Sequence, residues 1–209
     1  HLQVDAYAGY DAVLRQNSIT PVGCWAHARR RFFKALGADQ DAANAMEVMQ
    51  RIYRVEREAR EQGFDADRRR DLRQQEAKPL LEAMRPWLEG IRPRHLPKSP
   101  MGDAINYTLR QWDTLVRYLD DGRLEIDNNR VERQMRSVAV GRKNWMFAGS
   151  AEGARRAATA YSLVGTCGLL GIEPWAYLKD VLQRIAEGAD PASLTPRLWQ
   201  AARSKAAER

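Results

Sequence analysis

Two carboxylates in this chain stand where acid groups can act on a phosphodiester. Asp5 closes a short apolar run, Leu2-Gln-Val4, and Glu132 opens a helical pattern far downstream. Phosphodiester chemistry with two divalent ions needs carboxylates from separate elements to converge on ions about 3.5–4 Å apart. Carboxylate oxygens suit that work because Mg²⁺ is a hard cation that keeps several waters and takes few protein ligands. Each residue also has a plainer reading. Asp5 can be a surface residue at a strand end, and Glu132 can serve its own helix, capping with Asn129 or pairing with Arg136 one turn on.

The neighbours of Glu132 favour chemistry. From Arg130 to Arg156 the chain holds Arg130, Arg133, Arg136, Arg142, Lys143, Arg155 and Arg156 against only Glu132 and Glu152. Asn144, Trp145 and Phe147 lie among them, able to hydrogen-bond or stack on bases. Cations interleaved with aromatics beside a carboxylate form a nucleic-acid surface, whereas a merely solvated helix mixes its signs. Arg130, Arg133, Arg136, Arg142, Lys143, Asn144 and Trp145 are the expected DNA contacts. Cys24-Trp-Ala-His27 pairs a thiol with an imidazole, but Zn²⁺ wants four convergent ligands. Cys167, His1 and His95 do not supply that spacing. A nucleophilic Cys24/His27 dyad has no third group to orient it. Cys24 is expected to be buried, and His27 to be structural or beside the site.

The elements that must position these residues can be read in outline. Leu2 and Val4 predict a strand, Asp11 to Gln16 a short helix burying Ala12, Val13 and Leu14, and Val22 to Ala26 a second strand. The run His27-Ala-Arg-Arg-Arg31 then opens a basic helix through Phe32, Phe33 and Leu36. From Asp39 to Leu119 apolar residues recur at helical steps, including Met49, Ile52, Leu81, Leu88, Leu109 and Trp112. This predicts a helical subdomain with its own small core. The charge-dense corner from Glu56 to Arg73 is expected to be solvated, and Arg92 to Pro100, with three prolines, to be a loop. Gly153 to Leu170 and Pro174 to Ala186 predict two more helices.

The chain has 209 residues and 44% hydrophobic residues, enough for a real core, which excludes wholesale disorder. Its net charge is +7, and 28 of its 34 cations are arginine. That balance favours an anionic polymer with phosphates as partner. Two cysteines make no disulfide framework and fit a reducing, cytoplasmic setting. The longest uncharged run, Ala157 to Ile172, has 16 residues and three glycines. A membrane span needs about 20 apolar residues, so this run predicts a buried helix and no membrane partner. The chain opens His1-Leu-Gln-Val-Asp5 already in a strand pattern, and is expected to be a piece of something longer.

Five motifs carry a resemblance: Leu2-Gln-Val-Asp-Ala-Tyr-Ala-Gly-Tyr10, Gly23-Cys-Trp-Ala-His-Ala-Arg-Arg-Arg-Phe32, Asp127-Asn-Asn-Arg-Val-Glu-Arg133, Gly141-Arg-Lys-Asn-Trp145 and Ser162-Leu-Val-Gly-Thr-Cys167. In this order, over nearly the whole chain, they resemble the transposases of the insertion-sequence-66 family. The resemblance implies a mostly helical α/β fold: a truncated ribonuclease-H-like core with a helical insertion and a small C-terminal helical element. The expected division is core at 1–38, insertion at 39–119, core helix and basic segment at 120–160, and C-terminal element at 161–200. It also implies an Asp-Asp-Glu triad working with Mg²⁺ or Mn²⁺. Asp5 matches the second Asp and Glu132 the Glu, both as metal-holding catalytic residues, while the first Asp has no match in this chain. The implied activity is DNA transposition by cleavage and strand transfer, and the chain alone is expected to be inactive. The implied partners are insertion-sequence ends, target DNA, a second copy of the chain, and accessory proteins of the same element. The alternative is a DNA-binding remnant that cannot cut.

Overall fold

The structure, a computed structural model, describes residues 1–141 and 148–207. It divides into two compact units, His1–Val131 and Glu132–Arg209. Among the described residues the chain is mostly helical, and none of its helices is long and apolar enough to cross a membrane.

The first unit begins with two very short strands, β1 (Leu2–Gln3) and β2 (Pro21–Val22), paired in parallel with Leu2 opposite Pro21. A parallel pair needs a crossover, here supplied by α1 (Asp11–Gln16). None of the α1 residues is buried, contrary to the expectation for Ala12, Val13 and Leu14. The second strand is also shorter than its apolar run predicts, because Trp25 already begins the helix α2 (Trp25–Ala35). A short apolar run reads alike as strand or buried helix turn, and here the helix prevails because Trp25, Ala28, Phe32 and Ala35 fall on one face and are buried.

The long α3 (Gln40–Glu61) is capped by Asp39, whose side chain accepts from the Asp41 N–H. Next come α4 (Ala66–Leu72), a π turn at Arg73–Ala77 and α5 (Lys78–Ile91). Ser99 caps α6 (Pro100–Arg110), and α7 (Trp112–Val116) follows it after a break at Gln111. No strand interrupts residues 40–119. These helices do not keep a core of their own, however. Met49, Ile52, Leu81, Leu88, Ile105 and Leu115 share one continuous cluster with Val22, Trp25 and Phe32. Trp25 and Trp112 meet edge to face at 6.1 Å.

The corner from Glu56 to Arg73 is likewise not solvated throughout. Glu56 is 1% exposed and Arg73 is fully buried. Arg73 donates to Glu56 through Nε (2.6 Å) and Nη2 (2.9 Å), and to the carbonyls of Tyr118, Asp121 and Leu124. Arg69 bridges Glu56 to Glu125. The buried charges Glu56 and Arg73 are thereby paired and hydrogen-bonded, the condition under which burial is tolerated. The consequence is positional, since Arg73 pins the turn that runs from Tyr118 into Ile126.

Helix α8 (Asn129–Gly141) passes through the junction of the two units. In the second unit α9 (Ala151–Leu170), α10 (Pro174–Ala186) and α11 (Pro196–Ala207) close on Cys167, Ile172, Tyr177, Val181, Leu194 and Trp199. Gly171 ends α9 at φ +69°, a left-handed cap that leaves the Ile172 N–H to reach the Cys167 carbonyl. The uncharged run in α9 is not the buried helix expected of it, since Cys167 is the one residue of α9 that is buried.

Candidate active site

Asp5 lies just past β1, where Val4 extends the parallel ladder by donating to the Val22 carbonyl at 2.8 Å. The next residue, Ala6, has φ +67°. This left-handed turn lets the Tyr7 N–H return to Asp5 Oδ1 at 3.1 Å. The Asp5 carbonyl accepts from the Tyr107 hydroxyl at 3.4 Å. The other carboxylate oxygen, Oδ2, lies 4.0 Å from His27 Nε2, and the Asp5 side chain remains 37% exposed. The chain therefore spends backbone strain at one residue to present an accessible carboxylate beside an imidazole.

Three sequence-distant segments hold that arrangement. The Gln3 side-chain amide donates to the carbonyls of both Gly23 and Glu125. Gly23 N–H reaches the Thr114 carbonyl at 2.8 Å. A Cβ at Gly23 would stand 2.8 Å from Thr114 Oγ1 and 3.0 Å from the Leu115 nitrogen, so α7 can come this close only to a glycine. Arg117 caps the Pro21 carbonyl, and the Trp25 indole N–H donates to the Leu115 carbonyl.

The segment that leads into α8 is fastened in the same way. Cys24 is buried and its thiol donates to Asn128 Oδ1 at 2.9 Å. Burial pushes the thiol pKa up, against the hydrogen bonds that lower it, which keeps the group protonated and donating to Asn128. Asp127 accepts from the Tyr53 hydroxyl at 2.8 Å and from both the backbone N–H and side-chain amide of Asn129. Burial, then the Asp127 charge and hydrogen bond, raise the Tyr53 pKa, which keeps that phenol protonated and donating. The Asn129 side chain is thus turned back to Asp127, a different use from the capping pair with Glu132 that its spacing allows.

Asp5 belongs to the first unit, and Glu132 is the first residue of the second. Glu132 lies in the first turn of α8 and is partly buried, while Arg133 and Arg136 are exposed on the same helix. Arg130 lies on α8 with its side chain outside the described part, and Arg142, Lys143, Asn144 and Trp145 lie outside the described residues altogether. What the sequence reading left unassigned is the support of the site: Tyr53, Tyr107, Gln3 and Asn128. The apolar spacing marks the helices of Tyr53 and Tyr107, but no local motif announces hydrogen bonds across 74 to 122 positions.

One further cluster could hold a cation. Among the described residues Asp39, Asp41 and His95 bring ligand atoms within 4.8 Å of one another. His95 Nδ1 lies 3.2 Å from Asp39 and its Nε2 3.1 Å from Asp41. The two ring nitrogens point away from each other, so each carboxylate claims a different edge of the ring. The cluster reads as an ion-pair clamp between the start of α3 and the turn after α5.

Residues 1–156 match the Transposase IS66 family and residues 162–196 match the IS66 C-terminal element. The chain belongs to the IS66 transposase family. Among its relatives is Uncharacterized protein y4hP of Sinorhizobium fredii, 38% identical over 204 residues, which cover 89% of this chain and 37% of the relative. Uncharacterized protein y4jD of the same organism is 36% identical over 212 residues, covering 96% and 41%. The chain therefore spans about two fifths of the length of these curated relatives. No solved structure matches it. Membership of a DDE-type family implies use of a divalent metal. The Asp5 carboxylate, with its side chain 37% exposed and hard oxygen donors, fits such an ion.

Proposed function

We propose that this chain carries part of the catalytic machinery of an IS66 transposase, which cuts DNA at insertion-sequence ends and joins it to a target in a Mg²⁺-dependent reaction. The observation that carries this reading is the Asp5 carboxylate, open to solvent at the end of a parallel strand and set there by a left-handed residue. In this reading β1, α1, β2 and α2 are the part of a ribonuclease-H-like core that the chain contains.

Asp5 and Glu132 would hold Mg²⁺ or Mn²⁺, which when bound offsets the charge that builds on the phosphorus oxygens. The protein's own groups do the rest. The Tyr7 N–H fixes Oδ1 and Tyr107 steadies the Asp5 carbonyl, so Oδ2 is the atom presented. His27 Nε2 lies 4.0 Å from Oδ2 and in its cationic form would add a charge for a phosphate to meet. Arg130, Arg133, Arg136, Arg142 and Lys143 would hold the DNA backbone, with Asn144 and Trp145 against bases. In such a cytoplasmic complex a second copy and the accessory proteins of the element would complete the assembly.

The test uses the longest polypeptide that the reading frame encodes, with a labelled duplex ending in the element's terminus and Mg²⁺ or Mn²⁺. Nicking and strand transfer are expected to vanish in Asp5→Asn and Glu132→Gln while DNA binding persists. Nicking by Asp5→Asn at the unaltered rate would overturn the assignment. The 209-residue chain alone is expected to bind duplex DNA without cutting it, because the first Asp of the triad has no match in it. Its log affinity should fall with log salt by about 0.9 per phosphate neutralised.

A further inference from the structure

Helix α2 presents three faces at about 100° per residue. Trp25, Ala28, Phe32 and Ala35 enter the core. His27 and Arg31 turn toward the Asp5 side, where Arg31 meets Asp103 at 2.6 Å and lies over the Tyr107 ring at 4.2 Å. The third face holds Ala26, Arg29, Arg30 and Phe33, and it looks across a cleft of about 770 Å³ at Gln50, Tyr53, Arg54 and Arg57 of α3, with Asn129 completing the lining. On α3 those four residues stand at i, i+3, i+4 and i+7, one continuous stripe.

The charge of this cleft is one-sided. Among the described residues no carboxylate lines it. Arg29, Arg54 and Arg57 form no ion pair among the described residues, whereas Arg31, Arg69, Arg73 and Arg94 of the same unit each do. Guanidinium groups gathered on two facing helices repel one another and gain when an anion comes between them. Beside them Phe33 leaves 61% of its surface in water. An exposed aromatic next to a row of arginines is what a polynucleotide strand requires, because phosphates take the forks and a base takes the ring. Duplex DNA keeps its bases stacked internally and would leave Phe33 with nothing to cover it.

We propose that the α2–α3 cleft is a binding site for single-stranded DNA, with Arg29, Arg54 and Arg57 on consecutive phosphates and a base stacked on Phe33. The site leads toward the Asp5 region through two shared supports. Tyr53 lines the cleft and donates to Asp127, and α2 carries both Phe33 and His27. It does not depend on the cleavage proposed above, since strand binding is measurable where nothing is cut.

The experiment titrates the full chain into fluorescent oligo-dT over a range of salt, beside a duplex of equal length. The Arg54→Ala/Arg57→Ala variant should lower the single-strand salt slope by about 1.4, which is two phosphates at about 0.7 each. Phe33→Ala should weaken single-strand binding about 5-fold or more and leave duplex binding unchanged. Arg85→Ala/Arg92→Ala, which removes the same charge outside the cleft, should change neither by a comparable amount. All these side chains except Phe33 are charged and exposed, and melting curves confirm that each variant is folded. The proposal fails if the cleft variants keep the full slope, if the control pair lowers it equally, or if Phe33→Ala weakens duplex and single strand alike. It also fails if polyglutamate displaces oligo-dT at equal charge concentration, because the cleft would then be a site for acidic peptide.

Discussion

Ala6 holds a conformation in which an L-residue's Cβ crowds the following carbonyl oxygen, at a cost of about 1–2 kcal/mol. Glycine adopts it freely but loses more entropy on folding. Ala6→Gly is therefore expected to raise stability by up to about 1 kcal/mol in urea denaturation, while Ala6→Val lowers it. Loss of stability in Ala6→Gly would mean that the turn is not strained. At this scale the place of Asp5 was legible, because the apolar run Leu2-Gln-Val4 before it marks a short strand that the fold contains. Ala6 was not, because nothing in the letters Asp-Ala-Tyr marks a left-handed residue. The burial of Cys24 was legible as well, but its partner was not. From one helix start the thiol and the imidazole go to different neighbours, Asn128 and Asp5.

The elements reveal where periodicity informs and where it does not. Helices α3, α5 and α6 follow their apolar steps because each buries one stripe. The buried pair of Glu56 and Arg73 escapes the same reading, since residues 17 apart on different helices look like any solvated charges until tertiary packing joins them. Removing one partner leaves the other charge uncompensated, so Arg73→Ala should cost about 3–5 kcal/mol. Glu56→Leu/Arg73→Met should recover most of that loss if volume and contacts are kept. Urea midpoints decide it, and a double variant no better than the single would show that Arg73 acts through its carbonyl contacts alone. Glu125 adds a pH dependence. Burial pushes its carboxyl up, but the hydrogen bonds and charge of Arg69 outweigh this and leave the pKa below its ordinary 4.5. A depressed folded pKa stabilises fully above the unfolded value and is lost as pH falls through the folded one. Denaturation from pH 6 down to pH 3 should therefore show a stability loss that starts below about pH 4.5 and is smaller in Glu125→Gln.

At the scale of the molecule, two hydrophobic clusters share no buried residue. The second contains six buried residues among those described and is the more marginal. Unfolding is expected in two steps, and Tyr177→Phe, which deletes the hydroxyl bond to the Leu194 carbonyl, should lower only one of them by about 1 kcal/mol. Calorimetry resolves the steps, and a uniform shift of a single transition would contradict them. The braces of the first unit have a different consequence. Gln3 bonds to a residue 122 positions away, Cys24 to one 104 away and Trp25 to one 90 away. Such closures are entropically late, whereas α3 and α5 form from local contacts. Pulse-labelled hydrogen exchange should find the amides of Val4, Gly23 and Trp25 protected after those of α3. On the ribosome the order is stricter still. Synthesis runs from the N-terminus, so Asp5 leaves the exit tunnel well before Glu125, and the strand that ends at Asp5 waits unbraced while the 122 positions between Gln3 and its Glu125 partner are made.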